Sequence, residues 1–256
     1  MNILVTGADG FIGSHLVRSL PEHNVIKWKG DIKKFVLDSS IDFVVHLAAL
    51  TDLRQSILHP NLYWKTNVEY SKRIFDSCLR IEINVPVVYA SSSCAKEWWR
   101  SPYGTTKKVM EELAHTNHVG LRFTTVWGSG SRNDMLISRI LNGNLKYKTN
   151  HIRDFIHVSD LADMHAMVAE NITLNGQTDI YNCGYGSGYS VGEVVREMEK
   201  ITKQELKKEI GPRRKNDIPY SVADNKKFKE KFNWSPKHND LSYILRSALE
   251  WEKKIK

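Results

Sequence analysis

A chain of 256 residues, 41% hydrophobic and 26% charged with both signs interspersed, can bury a sizeable core, which excludes an intrinsically disordered protein. Its formal net charge of +8 raises nucleic-acid binding as an option, yet the lysines gather late, at Lys200, Lys203, Lys207, Lys208, Lys226, Lys227, Lys229 and Lys231, interleaved with Glu and Asp as on a solvated face, so no nucleic-acid partner is expected. Cys78, Cys94 and Cys183 are odd in number and widely separated, which argues against a disulfide framework and against a metal site.

Asn2 to Thr6 is a short apolar run that reads as a strand. It starts directly after Met1 and no later stretch has the length of a membrane span, so a cytoplasmic protein without membrane contact is expected. Thr6-Gly7-Ala8-Asp9-Gly10-Phe11-Ile12-Gly13 follows, and Phe11, Ile12, Leu16, Val17 and Leu20 then recur at helical spacing. Asn24 to Trp28 and Ile41 to Leu47 read as strands, Leu62 to Leu79 as a helix and Val85 to Ala90 as a buried strand. A serine cluster, a helix bearing Tyr103 and Lys107, and a strand from Gly120 to Val126 come next. Strands alternating with helices predict an α/β fold, a Rossmann-type doubly wound parallel sheet. Beyond it the spacing predicts a helix over Arg132 to Leu141, a strand over Phe155 to Val158, a helix capped by Ser159 and running through Glu170, a strand over Asp179 to Cys183, a glycine-rich loop over Gly184 to Gly188, and helices over Val191 to Thr202 and Leu241 to Lys254. Residues 1–130 are expected to be mainly the dinucleotide-binding domain. Residues 131–256 are expected to form mainly a smaller C-terminal substrate-binding lobe, with some segments returning to the sheet.

Glycines at 7, 10 and 13 between a strand and a helix permit a tight turn and the close approach of a pyrophosphate to free helix amides, so Gly7, Gly10, Phe11, Ile12 and Gly13 are candidate cofactor residues. His46 is read as a packed histidine. The second strand of such folds ordinarily ends in an acid that binds the adenosine ribose; here that place holds Lys29, with Asp31 two residues on. NAD is the expected cofactor and NADP stays open through Lys27 and Lys29. Tyr103 and Lys107 lie four apart on one helix, so they can share a face, and a cation beside a phenol lowers its pKa toward the range of acid/base work.

These stretches, with His46-Leu47-Ala48-Ala49, Asn67-Val68, Tyr89-Ala90-Ser91-Ser92-Ser93, Leu121 to Gly128, Arg153 to Ala162, Tyr181 to Gly184 and Pro212 to Asp217, resemble the extended short-chain dehydrogenase/reductase superfamily and its NAD-dependent epimerase/dehydratase members. Among these the nearest are the nucleotide-sugar 4-epimerases of UDP-glucose and UDP-glucuronate. The resemblance implies an isomerase that transfers hydride transiently between C4 of a UDP-sugar and a bound nicotinamide, and a homodimer. It implies that Tyr103 is the acid/base, Lys107 its modulator and nicotinamide-ribose ligand, and Ser92 the hydroxyl partner of the reacting oxygen, with Ser93 as its alternate one position on. By the same matching, Asp31 and Ile32 lie near adenine, Leu47, Ala48 and Ala49 along the dinucleotide, and Asn67 near the cofactor. Ser93 and Thr125 face the sugar, and Arg153, Arg214 and Asp217 hold the nucleotide diphosphate and its ribose. Trp98 and Trp99 are placed to wall the sugar pocket.

The alternative implied by the same resemblance is an NADPH-dependent 4-keto reductase or epimerase-reductase of the kind that makes GDP-fucose, to which Cys94 and Lys29 lend weight. Gly130 stands near the place where that chemistry needs a histidine, so this alternative lacks its second proton carrier. A cofactor-binding scaffold without turnover is opposed by the intact Ser92, Tyr103 and Lys107. The connections around residues 30, 97 and 146 are short for this superfamily.

Overall fold

The computed structural model describes residues 1–79, 84–143, 145–147, 151–172, 178–206, 209–210 and 218–255. Its centre is a six-stranded parallel sheet built from β1 (Asn2–Thr6), β2 (Asn24–Trp28), β3 (Phe43–His46), β4 (Val87–Ser92), β5 (His118–Phe123) and the later strand Asp179–Cys183. The order across the sheet is Asp179–Cys183, β5, β4, β3, β1, β2, so β2 is an edge.

Helices cover both faces, and the period-2 alternation of strand side chains explains why. Ile3 and Val5 point into one core with Leu16 and Leu161, whereas Leu4, Val44 and Val87 point into a second core with Ile74, Phe75 and Met110. The first face carries α1 (Phe11–Arg18), and the second carries helices from the segment between β3 and β5. These are α2 (Leu53–Leu58), α3 (Pro60–Trp64), α4 (Tyr70–Cys78) and α5 (Pro102–Glu112). The predicted helix over Leu62 to Leu79 is interrupted by a π turn, Lys65–Glu69, which turns Asn67 fully inward. Pi turns of this kind often mark functional sites.

The predicted strand over Gly120 to Val126 divides at Thr124. The amide of Thr124 donates to Cys183 O at 3.1 Å and that of Thr125 to Asp154 O at 3.1 Å, so the chain leaves the main sheet and β6 (Thr125–Trp127) pairs elsewhere. The rest of the chain comprises α6 (Leu136–Leu141), β7 (Lys146–Tyr147), β8 (Ile152–Arg153), β9 (Phe155–His157), α7 (Val158–Asn171), β10 (Asp179–Cys183), β11 (Tyr189–Ser190), α8 (Val191–Thr202), β12 (Glu209–Ile210), β13 (Tyr220–Ser221), α9 (Lys226–Phe232) and α10 (Leu241–Ile255). The cap of α7 is His157, whose Nδ1 accepts from the Ser159 amide, rather than Ser159 itself. Ser190 and Glu193 close a capping box that starts α8 where the apolar period predicts it. Among the described residues no helix is long and apolar enough to cross a membrane.

Asp154 ties these later segments to one another. Its buried carboxylate accepts from the amides of Tyr185 at 3.0 Å, Gly186 at 2.9 Å and Ala223 at 3.2 Å, joining the β8–β9 corner to the glycine-rich loop and to the segment just beyond β13. A side chain at Gly184 would place its Cβ 2.5 Å from Asp154 Oδ2, which is why the loop opens on glycine. Replacing Asp154 by Ala strands three donors, two of them buried, so Asp154→Ala is expected to cost about 2 to 4 kcal/mol of stability, read as a lowered denaturation midpoint. An unchanged midpoint would mean that these amides find other partners.

Candidate active site

The glycine-rich turn is packed as tightly as a backbone can be. Gly7 has φ +71°, and a Cβ there would lie 2.8 Å from Ala48 N; one on Gly13 would lie 2.1 Å from Gly7 O. Gly10 N donates to Gly7 O at 3.0 Å, and Phe11 opens α1 directly after it. The end of β3 closes the other side, where Leu47 N donates to Thr6 O at 3.1 Å and Ala48 N to Thr6 Oγ1 at 3.3 Å. Leu47, Ala48 and Ala49 are all half-buried there. A cradle that excludes every side chain larger than hydrogen and lies against a helix N-terminus fits a pyrophosphate. His46 stands behind it, bonded to Thr6 at 2.7 Å and to Ser71 at 2.8 Å, and burial pushes its pKa down to about 3, so it is a packed neutral histidine.

Asn67 lies on the π turn between α3 and α4. It is 0% exposed, its amide oxygen accepts from Leu50 N at 2.8 Å, and its amide nitrogen donates to Leu50 O at 2.9 Å and Thr106 Oγ1 at 3.2 Å. Thr106 in turn donates to Tyr103 O at 2.8 Å. Asn67 therefore couples the loop after β3 to the first turn of α5.

Helix α5 is capped by Ser101, whose Oγ accepts from Gly104 N at 3.0 Å, with Pro102 at the first helical position. Tyr103, Lys107 and Glu111 follow at intervals of four, and all three are buried against β4. The Ser92 side chain at the end of β4 acts on the Tyr103 phenol. Burial pushes this phenol well above the usual tyrosine range, reinforced by the Cys94 thiol, while Ser92 and the Arg132 guanidinium act in the opposite direction.

Lys107 is buried beside β4. Its ammonium donates to the Ala90 carbonyl at 2.7 Å, and burial pulls its pKa down to about 7 against the opposing pull of Glu111. A further cation, Arg132, acts on the phenol and is held by Asp134 at 2.9 Å and Thr51 at 2.7 Å. Glu111 forms a two-bond pair with Arg122, at 2.7 and 2.5 Å, and accepts from Ser91 Oγ, so the serine cluster divides: Ser91 faces the buried ion pair and Ser92 the phenol. Glu111 is visible in the sequence as the next step of the four-residue spacing. Nothing in the local pattern announces Arg132, some thirty residues downstream.

On the far side of Ser92, Ser93 is bonded to Ser221 of β13 at 3.2 Å. Both line a cavity of about 230 Å³ with Lys96, Arg122, Thr124 and Asn182, and the buried Thr124 hydroxyl there has no partner among the described residues. Thr125 stands half-buried at the start of β6, and Arg153 lies on β8, paired in register with Ser221. Arg214 and Asp217 lie outside the described residues. Trp98 and Trp99 do not wall the cavity: both are exposed, edge to face at 6.0 Å, in the short turn before α5. Asp31 and Ile32 open a 3-10 turn after β2, where Asp31 caps Lys33 N. Among the described residues no cluster of metal-ligating side chains occurs.

A profile of the NAD-dependent epimerase/dehydratase family matches residues 3–184, the stretch that contains the turn, Ser92, Tyr103 and Lys107. The chain belongs to this family. The UDP-glucose 4-epimerase of Azospirillum brasilense is 29% identical to it, covering 99% of this chain and 92% of that one. That alignment runs over 322 positions, so the relative carries segments that a 256-residue chain lacks. Among solved structures, MoeE5 in complex with UDP-glucose and NAD superposes with a TM-score of 0.88 at 29% identity, over 100% of this chain and 99% of that one. The UDP-glucuronic acid 4-epimerase of Bacillus cereus shares the fold with a TM-score of 0.89 at 23% identity, over the whole of both chains.

Within this epimerase/dehydratase frame the low pKa of Lys107 can be tested without substrate. Its folded-state pKa lies below the unfolded one, so protonated Lys107 opposes folding; the penalty is fully present below about pH 7 and fades as pH rises toward the ordinary lysine range. Lys107→Met is therefore expected to be more stable than the parent at about pH 6, with the excess shrinking by about 2 to 3 kcal/mol by about pH 9. Chemical denaturation of both proteins at the two pH values checks this, and a constant difference would show that the ammonium is not desolvated.

Proposed function

We propose that the protein is a nucleotide-sugar 4-epimerase that interconverts the C4 epimers of a UDP-sugar with NAD held in the glycine-rich turn. The observation that carries this reading is the buried Ser92–Tyr103 pair at the mouth of β4, joined through Thr106 and Asn67 to the loop that borders the turn. Bound nicotinamide supplies the hydride acceptor and donor for C4. Tyr103 takes the proton of the 4-hydroxyl and returns it once hydrogen is restored on the opposite face, and Ser92 holds the reacting oxygen in line with the phenol. In the protein alone the phenol stays protonated, because burial outweighs Ser92 and Arg132. The positive charge that the cofactor brings is what would lower it to working range.

In this reading residues 1–130 are mainly the dinucleotide half and residues 131–256 mainly the sugar lobe, with β10 returning to the sheet. Ser93 and Thr125 face the sugar, and Arg153, Arg214 and Asp217 hold the diphosphate and ribose. The mature assembly is a homodimer. This is supported by Leu58, Leu62 and Trp64, large apolar side chains exposed on adjacent helices α2 and α3 beside α5.

Incubation with UDP-glucose, UDP-glucuronate, UDP-N-acetylglucosamine and GDP sugars without added cofactor, followed by NMR of the products, is expected to show C4 epimers of a UDP-sugar. Oxidation of added NADPH by a 4-keto sugar, with no epimer formed in its absence, would favour the reductase instead. Tyr103→Phe should lower turnover by about 10²- to 10⁴-fold or more while NAD binding is retained. Light scattering should give a dimer mass that falls toward the monomer in Leu58→Lys/Leu62→Lys, and a parent protein of monomer mass would refute the dimer.

A further inference from the structure

We propose that the adenosine end of the cofactor groove accepts a 2′-phosphate, so that the protein binds NADP(H) as well as NAD. The proposal rests on the dinucleotide reading of the glycine-rich turn, and four features of β2 carry it. First, β2 is the edge of the sheet, and the chain passes from it to β3 through residues 29–42 with only one 3-10 turn, so among the described residues no further strand of this sheet lies beyond β2 to close the ribose pocket. Secondly, the residue that follows the last strand residue is Lys29, exposed and without a hydrogen bond or ion pair among the described residues.

Thirdly, Lys27 on β2 and Lys29 just beyond it are two apart, the spacing that places extended residues on one side of the chain. Lys27 Nζ lies 3.4 Å from Oδ1 of Asp9, which is within the turn itself, so that side looks over the cofactor cradle. Fourthly, the two acids near this corner are already engaged. Asp9 is paired with Lys27, while Asp31 accepts from Lys33 N at 3.0 Å and has the Lys33 ammonium 3.9 Å away. Selection of NAD over NADP at this place relies on a carboxylate that accepts from the ribose 2′-hydroxyl and repels a phosphate, whereas a cation accommodates the phosphate. Here the uncommitted charge is the lysine.

The tight turn at Gly30 holds this arrangement in place. A Cβ there would lie 2.8 Å from Cζ2 of Trp28, so the backbone runs directly over the indole as it leaves the strand. Trp28 packs on Phe35 with ring centroids 5.0 Å apart, which anchors the strand end against the second core and leaves the lysine stems outside it.

The test is calorimetric titration of the purified protein with 2′,5′-ADP and with 5′-AMP, two probes that contain neither nicotinamide nor sugar and so do not depend on Tyr103 or on turnover. The expected result is binding of 2′,5′-ADP about tenfold tighter than 5′-AMP, a preference that weakens with salt. Lys29→Glu should reverse it without changing the denaturation midpoint, and NADPH should displace bound NADH from the parent protein but not from the variant. Equal or tighter binding of 5′-AMP by the parent, or a preference that survives Lys29→Glu, would overturn the proposal while leaving NAD binding in place. Absence of binding by 2′,5′-ADP, 5′-AMP and NAD alike would overturn the cofactor reading of the turn together with it.

Discussion

The structure depends on how α5 is seated against β4. This helix brings a phenol, an ammonium and a carboxylate under the surface at intervals of four residues, and each must find a partner there because an unpaired buried charge is far costlier than an unmade surface contact. Glu111 finds Arg122 and Ser91, Lys107 finds the Ala90 carbonyl, and Tyr103 finds Ser92. Three of those partners lie on β4 and the fourth on β5, so the polar inventory of one helix face fixes its distance and rotation relative to the two central strands. The close approach of Gly104 to the backbone of Cys94 and Trp98, where a Cβ would lie 2.9 Å from Cys94 O, completes the seating.

The same logic links the two ends of the candidate site. Thr6, His46 and Ser71 form a buried hydrogen-bonded chain behind the glycine-rich turn, and Asn67, on the π turn between α3 and α4, bonds both the loop after β3 and Thr106 of α5. A helix of regular pitch through residues 65–69 would rotate Asn67 away from one of those partners. The irregular turn is therefore what allows a single amide to hold the pyrophosphate side and the phenol side in a common frame, and rigid placement of reacting groups is where much of an enzyme's rate advantage originates.

How far the sequence reveals this arrangement depends on the range of the interaction. β1, β2, β10 and α8 lie where periodicity puts them, because alternation of apolar residues and a local capping box are short-range features. The glycine turn and the spacing of Tyr103 and Lys107 are legible for the same reason. The partner of the Lys107 ammonium is a backbone carbonyl seventeen residues away, which no side-chain pattern announces. Arg132 reaches the phenol from a loop whose position is set by its own bonds to Asp134 and Thr51. The two-residue strands β8, β11 and β13 are too short to leave a period. They exist because the buried carboxylate of Asp154 gathers their ends, and only the fold makes that visible.

The trimmed connections separate what the architecture requires from what it can lose. A relative aligned over 322 positions carries extra segments, while this 256-residue chain builds two cores about one parallel sheet. The short connection after β2 still serves the second core, where Ile32 and Phe35 pack with Trp28, and β2 stands at the sheet edge. Before α5 the link from Ala95 to Ser101 is short and leaves Trp98 and Trp99 exposed. Both shortened places lie at the carboxyl end of the sheet, where open α/β folds carry ligands. The buried charges at α5 resist change because each would be stranded, whereas the surface loops that set selectivity can be shortened at little cost to stability. Selectivity for nucleotide and sugar is thus the property on which this chain has most freedom to differ from its longer relatives.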